Sequence, residues 1–109
     1  MSDNVNHPDH YTSSDPEFLS VVRHLLPGER RIVECLVGSV SKSGEAAKEE
    51  FRKAVRQARR IACDEEGRYD PGAVDVAIGH ILGVIAAFAP SGPGLWRDVF
   101  DAAYRISGE

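Results

Sequence analysis

Hydrophobic residues recur every three or four positions along this chain, and no stretch alternates with a period of two long enough to predict a strand. The pattern therefore predicts an all-α fold, a small bundle of about five helices with short connections. The first helix is expected to begin within residues 14–17, where serine and aspartate precede a proline. It is expected to end at the Pro27–Gly28 pair, and the second helix to run from Glu29 to Val40.

The third predicted helix begins near Gly44 and divides most clearly into two sides. One side of its helical wheel carries small and apolar side chains. A neighbouring stripe is basic and consists of Lys48, Arg52, Arg56 and Arg59. Two interpretations of this stripe stay open, because it can offer positive charge to a ligand or form a solvated face balanced by Glu45 and Glu49.

The fourth predicted helix runs from Asp70–Pro71 to about Ala89 and is apolar on most sides. This composition predicts the central and most buried helix of the bundle. A chain of this size has difficulty hiding every apolar face in one monomer. We therefore expect a homo-oligomer, most simply a two-fold dimer, with the fourth or fifth helix near the interface.

The last predicted helix is amphipathic and places three aromatic residues four positions apart, Trp96, Phe100 and Tyr104. Such a stripe is typical of core packing, and the alternative is a surface that binds another protein. Together these elements predict one helical domain over residues 1–109, with residues 1–13 as an arm that precedes the bundle.

Composition is that of a soluble globular domain, with 42% hydrophobic and 28% charged residues. No apolar run reaches the roughly 18 residues of a membrane-spanning helix, and the start of the chain lacks the pattern of a signal peptide. We expect a cytoplasmic protein without a membrane partner, whose cysteines, Cys35 and Cys63, are reduced thiols.

Charge is distributed unevenly behind the net charge of −4. The segment from Arg23 to Arg60 has ten basic and five acidic residues, whereas the parts before and after it are acidic. Such a basic middle segment can attract phosphate locally. A general nucleic-acid binder is not expected, since such proteins are usually basic overall.

The first residues contain two histidines, His7 and His10, with Asp9 between them. No metal site is expected, because Pro8 keeps the two histidines out of one regular helix and no cluster elsewhere supplies a fourth ligand. The simpler interpretation is an arm that folds back onto the bundle. His80, on an apolar helix, is expected to be a hydrogen-bonded core histidine.

Residues 6–12 read NHPDHYT, which resembles the N-H-P-x-H-Y opening of a family of small phage-encoded helical proteins. That family is a domain of unknown function that includes a phage nucleotide kinase lacking a phosphate loop. The likeness continues in register at residues 36–42 and 50–54 and covers about residues 4–62. The chain departs from the family pattern at Ser39, where asparagine is usual, and at Ser43, where an aromatic residue is usual. Residues 63–109 are additional helices outside the likeness.

The resemblance implies a phage-type nucleotide-binding protein with a deoxynucleoside monophosphate as ligand and kinase-like phosphoryl transfer as its reaction. Mg²⁺ would accompany the nucleotide. The implied ligand-binding residues are His7, His10 and Tyr11 at the base or sugar, and Lys42, Arg52 and Arg56 at the phosphate. Because of the two departures, whether the chain is an enzyme stays open. The alternative is a non-catalytic phage protein that modulates a host protein through its helical surface; either would work in the cytoplasm of the infected cell.

Overall fold

The computed structural model of the chain describes residues 16–89 and 94–107 (for Glu17, the backbone only). The predicted all-α bundle is confirmed: within these residues there are five helices and no strand. The helices are α1 (Pro16–Val22), α2 (Pro27–Ser41), α3 (Gly44–Ala62), α4 (Pro71–Phe88) and α5 (Gly94–Ser107). The arm and the histidines in it lie outside the described residues.

The core is built around α2, which packs against α3, α4 and α5. Its predicted apolar face is buried and consists of Ile32, Val33, Leu36 and Val37. On α3 the buried residues are alanines, which allow the two helix backbones to approach closely. Two large aromatic side chains, Phe18 of α1 and Trp96 of α5, are buried with ring centroids 6.1 Å apart. Through this contact the first and the last described helices, α1 and α5, share one core.

The prediction that the first helix ends at the Pro27–Gly28 pair is wrong, because α1 already ends at Val22 and the pair begins α2. Proline is well placed in the first turn, because its missing N–H would have no partner within the helix there. Glu29 supplies the cap, since its Oε1 accepts a hydrogen bond from the backbone N–H of Leu26 at 2.9 Å. The chain therefore turns between Val22 and Pro27 and starts α2 two residues before the predicted position.

The prediction that α4 is the most buried helix is wrong. One side of α4 is buried, but Val76 is 74% exposed and Phe88 is 44% exposed. Among the helices of the described residues, α4 alone is long and apolar enough to cross a membrane, a test that core helices of soluble proteins also pass. The sequence pattern did not predict this, because Asp75 and His80 interrupt the apolar run without making the helix polar.

The connection between α3 and α4 is a tight polar turn organised by Asp64. Its carboxylate accepts hydrogen bonds from the backbone N–H groups of Arg68 and Glu66 and from the Arg68 side chain. These bonds, that of the Arg68 backbone first, hold the pKa of Asp64 below its ordinary value. The turn requires Gly67 at φ +83°, a conformation that side chains disfavour. The turn from Asp64 to Arg68 thereby fixes where α4 starts relative to α3.

Candidate functional site

The predicted phosphate-binding cations lie on or beside α3, but the structure does not place them in one site. Lys42 forms an ion pair with Glu50, Nζ to Oε2 at 3.1 Å. Arg52 and Arg56 both bind Glu49, at 3.2 and 3.0 Å. These bonds, that from Arg56 first, hold the pKa of Glu49 below its ordinary value. The solvated-face interpretation therefore describes much of the basic stripe.

Arg52 and Arg56 face different depressions on the two flanks of α3. Arg52 lines the first, which we call the mixed groove, a space of 590 Å³ between α2, α3 and α5. Arg56 lines the second, which we call the basic groove, a space of 400 Å³ between α2 and α3. The remaining three predicted ligand-binding residues, His7, His10 and Tyr11, lie outside the described residues.

The mixed groove carries charges of both signs around an apolar floor. Its charged residues are Lys48, Arg52, Asp98, Asp101 and Arg105. The guanidinium of Arg105 lies over the ring of Phe51, 4.4 Å from its centroid, and so covers an aromatic face that a ligand would otherwise use. Ser39, the first departure from the family pattern, also lines this groove, and its hydroxyl donates to the backbone oxygen of Leu36. Opposed charges and a covered ring make this groove a poor phosphate site.

The basic groove has the more favourable electrostatics for an anion. Its charged residues are Arg31, Glu34, Glu50, Lys53, Arg56 and Arg60, four cations against two carboxylates. Both carboxylates are already occupied, since Glu34 binds Arg30 and Glu50 binds two lysines. Arg31 and Arg60 form no ion pair with any residue of the described segments. Two guanidinium groups are thus free to bind an anion in this groove.

Glu50 links the predicted cation Lys42 to the basic groove. Its Oε2 lies 3.1 Å from Nζ of Lys42 and 3.5 Å from Nζ of Lys53. Its side chain crosses the surface of α2 at Gly38, where an added Cβ would come within 3.0–3.2 Å of the Glu50 carboxyl end. The glycine therefore leaves the space that Glu50 occupies. Lys42 is therefore in contact with a residue of the basic groove although it does not line the groove itself.

Cys35 lies half-buried among the charges of the basic groove. Burial, followed by the nearby carboxylate of Glu50, raises the pKa of its thiol. A thiol that ionises with difficulty is a weak nucleophile, so Cys35 is suited to be a reporter of this groove rather than a catalyst. Cys63, at the end of α3, is exposed.

The two described histidines each have a structural partner. His80 is hydrogen-bonded as predicted, with Nδ1 2.8 Å from Oε1 of Glu29, but its side chain is half exposed rather than in the core. His24 stacks on the ring of Phe88, with centroids 3.9 Å apart. In the segments that the structure describes, no three side chains of His, Cys, Asp or Glu are grouped as metal ligands.

The aromatic stripe of α5 does not form one surface. Trp96 is 1% exposed and belongs to the core, Phe100 is half-buried, and Tyr104 is 66% exposed. Two residues four positions apart point about 40° away from each other around the helix axis. From Trp96 to Tyr104 the direction therefore changes by about 80°, from the core to solvent. Trp96 is therefore not available as a surface contact, and the host-protein alternative stays a prediction.

Of the four cations in the basic groove, only Arg56 was among the predicted ligand-binding residues, and Arg31, Lys53 and Arg60 were not. The available signal was the basic segment from Arg23 to Arg60, which contains all of them. Comparison of the chain with protein-family models, curated proteins and solved structures found no match.

Proposed function

We propose that the protein binds a phosphate-bearing small molecule in the basic groove. The observation that carries this proposal is the charge distribution: of the four cations that line the groove, Lys53 and Arg56 are paired with glutamates, whereas Arg31 and Arg60 have no ion pair with any described residue. Arginine recognises phosphate well because its planar guanidinium donates two parallel hydrogen bonds. Arg31 and Arg60 are the residues expected to contact the anion.

The ligand class that we propose is a nucleotide, most simply a deoxynucleoside monophosphate. The groove volume of 400 Å³ is at the lower end of the range for small-molecule sites, which suits one mononucleotide better than two. The resemblance of residues 4–62 to the phage family supports the same ligand, and it adds His7, His10 and Tyr11 as candidate contacts to the base or sugar. Such a protein would work in the cytoplasm, where nucleotides are available.

Phosphoryl transfer is the extension of this proposal. Catalysis of this kind rests on positioning and on cations that neutralise the developing charge, with Mg²⁺ between the phosphates. Lys53, Arg56 and Arg60 would supply the protein's share of that charge. Binding is the part of the function that the groove supports best, and transfer requires a second nucleotide at or beyond its mouth.

Isothermal titration calorimetry with inorganic pyrophosphate and with the four deoxynucleoside monophosphates tests the proposal. Pyrophosphate measures the contribution of charge alone, and the monophosphates show what the base adds. The variant Arg31→Ala/Arg60→Ala is expected to weaken binding about tenfold or more, since each arginine–phosphate pair is charge-assisted. Arg97→Ala, which removes an exposed arginine of α5 outside both grooves, is the matched control. Absence of heat for every nucleotide, with and without Mg²⁺, would refute the proposal.

A second variant distinguishes the two grooves. Arg52→Ala removes a cation of the mixed groove and none of the basic groove. We expect it to leave affinity within about twofold, because Arg52 does not line the basic groove and the Glu49 carboxylate that it releases stays paired with Arg56. A loss of binding in Arg52→Ala with no loss in Arg31→Ala/Arg60→Ala would place the anion in the mixed groove instead.

A further inference from the structure

The carboxylate of Glu50 is shared by two lysines from different parts of the chain. The shorter of its two contacts, at 3.1 Å, is with Lys42, which directly follows α2. The longer, at 3.5 Å, is with Lys53, which lies three residues further along α3. Both ammonium groups approach the same oxygen, Oε2, but of the two lysines only Lys53 lines the basic groove.

This carboxylate is better shielded from water than the comparable ones nearby. The side chain of Glu50 is 18% exposed, whereas the other glutamates of α2 and α3 that pair with lysine or arginine are 35–81% exposed. Gly38 of α2 contributes to this shielding, because it lets the Glu50 side chain lie directly against the helix. Water and salt screen a partly buried charge less than a surface charge. The charge of Glu50 therefore has a strong effect on its neighbours in the groove.

Glu50 opposes the binding of an anion in two ways. It places a negative charge in the groove, and it competes with the anion for Lys53, which pairs with no other carboxylate of the described residues. A partly buried carboxylate that loses its last partner is costly. Because Glu50 also binds Lys42, it keeps a partner when Lys53 turns toward an anion.

We propose that Lys42 is a positioning residue of the basic groove, which holds the Glu50 carboxylate and thereby leaves Lys53 available to the anion. This inference rests on the proposed function, since it assumes that an anion binds in the groove. It gives Lys42 a role different from the direct phosphate contact that the sequence predicts. A direct contact would matter whether or not Glu50 is charged, whereas the positioning role exists only while the Glu50 carboxylate is present.

A double-mutant cycle at Lys42 and Glu50 distinguishes the two roles. The measurement is isothermal titration calorimetry with inorganic pyrophosphate at about 0.15 M salt, where exposed charges are largely screened beyond about 8 Å. Lys42→Met removes the charge and keeps most of the side-chain length. It is expected to raise the dissociation constant about threefold or more in the wild-type background, and to change it less than about 1.5-fold in the Glu50→Gln background. An equal loss in both backgrounds overturns the proposal.

Two variants control for the charge itself. Lys42→Arg keeps a cation beside Glu50 and is expected to bind pyrophosphate within about twofold of the wild type. Lys48→Met removes a lysine of α3 that also pairs with a glutamate but lines the mixed groove. It is expected to bind like the wild type. A loss in Lys48→Met as large as that in Lys42→Met would show an effect of net charge alone and would overturn the proposal.

The thiol of Cys35 supplies a second readout, which needs no anion. Burial and then the carboxylate of Glu50 raise its pKa, so the rate of its alkylation by iodoacetamide reports how well Glu50 is neutralised. The measurement uses a Cys63→Ser chain, in which Cys35 is the only cysteine. Lys42→Met is expected to slow the reaction about twofold at a pH near 8, and to have no effect once Glu50→Gln is present. An unchanged rate in Lys42→Met overturns the proposal.

The outcomes separate this inference from the proposed function. Absence of pyrophosphate binding by the wild-type chain would refute the proposed function, and with it any role of Lys42 toward an anion. Binding that is lost in Arg31→Ala/Arg60→Ala, but that Lys42→Met weakens equally with and without Glu50, would support the groove and refute the positioning role alone.

Discussion

Removal of Glu29 is predicted to destabilise the bundle more than removal of any other described glutamate, because Glu29 alone among them is buried. It is 6% exposed, and its Oε1 is the shared end of two hydrogen bonds. One bond holds the N-terminus of α2 through Leu26, and the other reaches His80 in the middle of α4. A single carboxylate thus caps one helix and connects it to another.

The magnitude follows from these two bonds. Loss of the helix cap costs about 1 kcal/mol, and loss of a hydrogen bond to a charged group costs about 1.5–3 kcal/mol. His80 is half exposed and regains water, which offsets part of the second cost. We therefore expect Glu29→Ala to lower the free energy of unfolding by about 2 kcal/mol. Glu29→Gln keeps an oxygen for Leu26 and should cost about 1 kcal/mol.

Urea denaturation followed by circular dichroism at 222 nm measures these differences. The control is Glu34→Ala on the same helix, which breaks a partly exposed pair with Arg30 and should cost less than about 0.5 kcal/mol. The double variant Glu29→Ala/His80→Ala should be no less stable than Glu29→Ala, because Glu29→Ala alone already removes the hydrogen bond between Glu29 and His80. A cost for Glu29→Ala equal to that of the Glu34→Ala control would refute this reasoning.

Two other predictions concern the core and the cysteines. Trp96→Ala should lower the free energy of unfolding by about 3–5 kcal/mol, because it empties a buried site beside Phe18. Trp96→Phe should cost much less in the same denaturation assay, since the indole N–H has no hydrogen-bond partner among the described residues, and equal costs would contradict this account. With Ellman's reagent at a pH near 8, Cys63 should react faster than Cys35, because burial and Glu50 raise the Cys35 pKa and leave less thiolate. Equal rates for the two cysteines would be evidence against a half-buried Cys35 beside Glu50. The variant Glu50→Gln should speed the reaction of Cys35, because it removes the nearby negative charge.

Helix positions could be predicted from the sequence because they depend on local rules. Periodicity and capping residues placed all five helices, and the starts at Gly44 and Pro71 agree with the structure. The Pro27–Gly28 pair was misplaced because proline ends one helix and begins the next by the same property, a missing N–H. Here the pair begins a helix, and the Glu29 carboxylate stabilises this start by accepting a hydrogen bond from the N–H of Leu26.

The candidate sites depended on tertiary structure, because each combines helices that are separate in the sequence. The basic groove needs Arg31 of α2 beside Arg60 of α3, and the hydrophobic pattern of the sequence does not predict that these two residues lie close together. Apolar residues on all sides of α4 predicted burial, yet only packing determines which side is covered, and Val76 remained outside. A sequence determines where a helix forms and how its faces differ. Only the packed bundle decides which of those faces meets another helix, because that choice depends on the shapes and charges of residues distant in the chain.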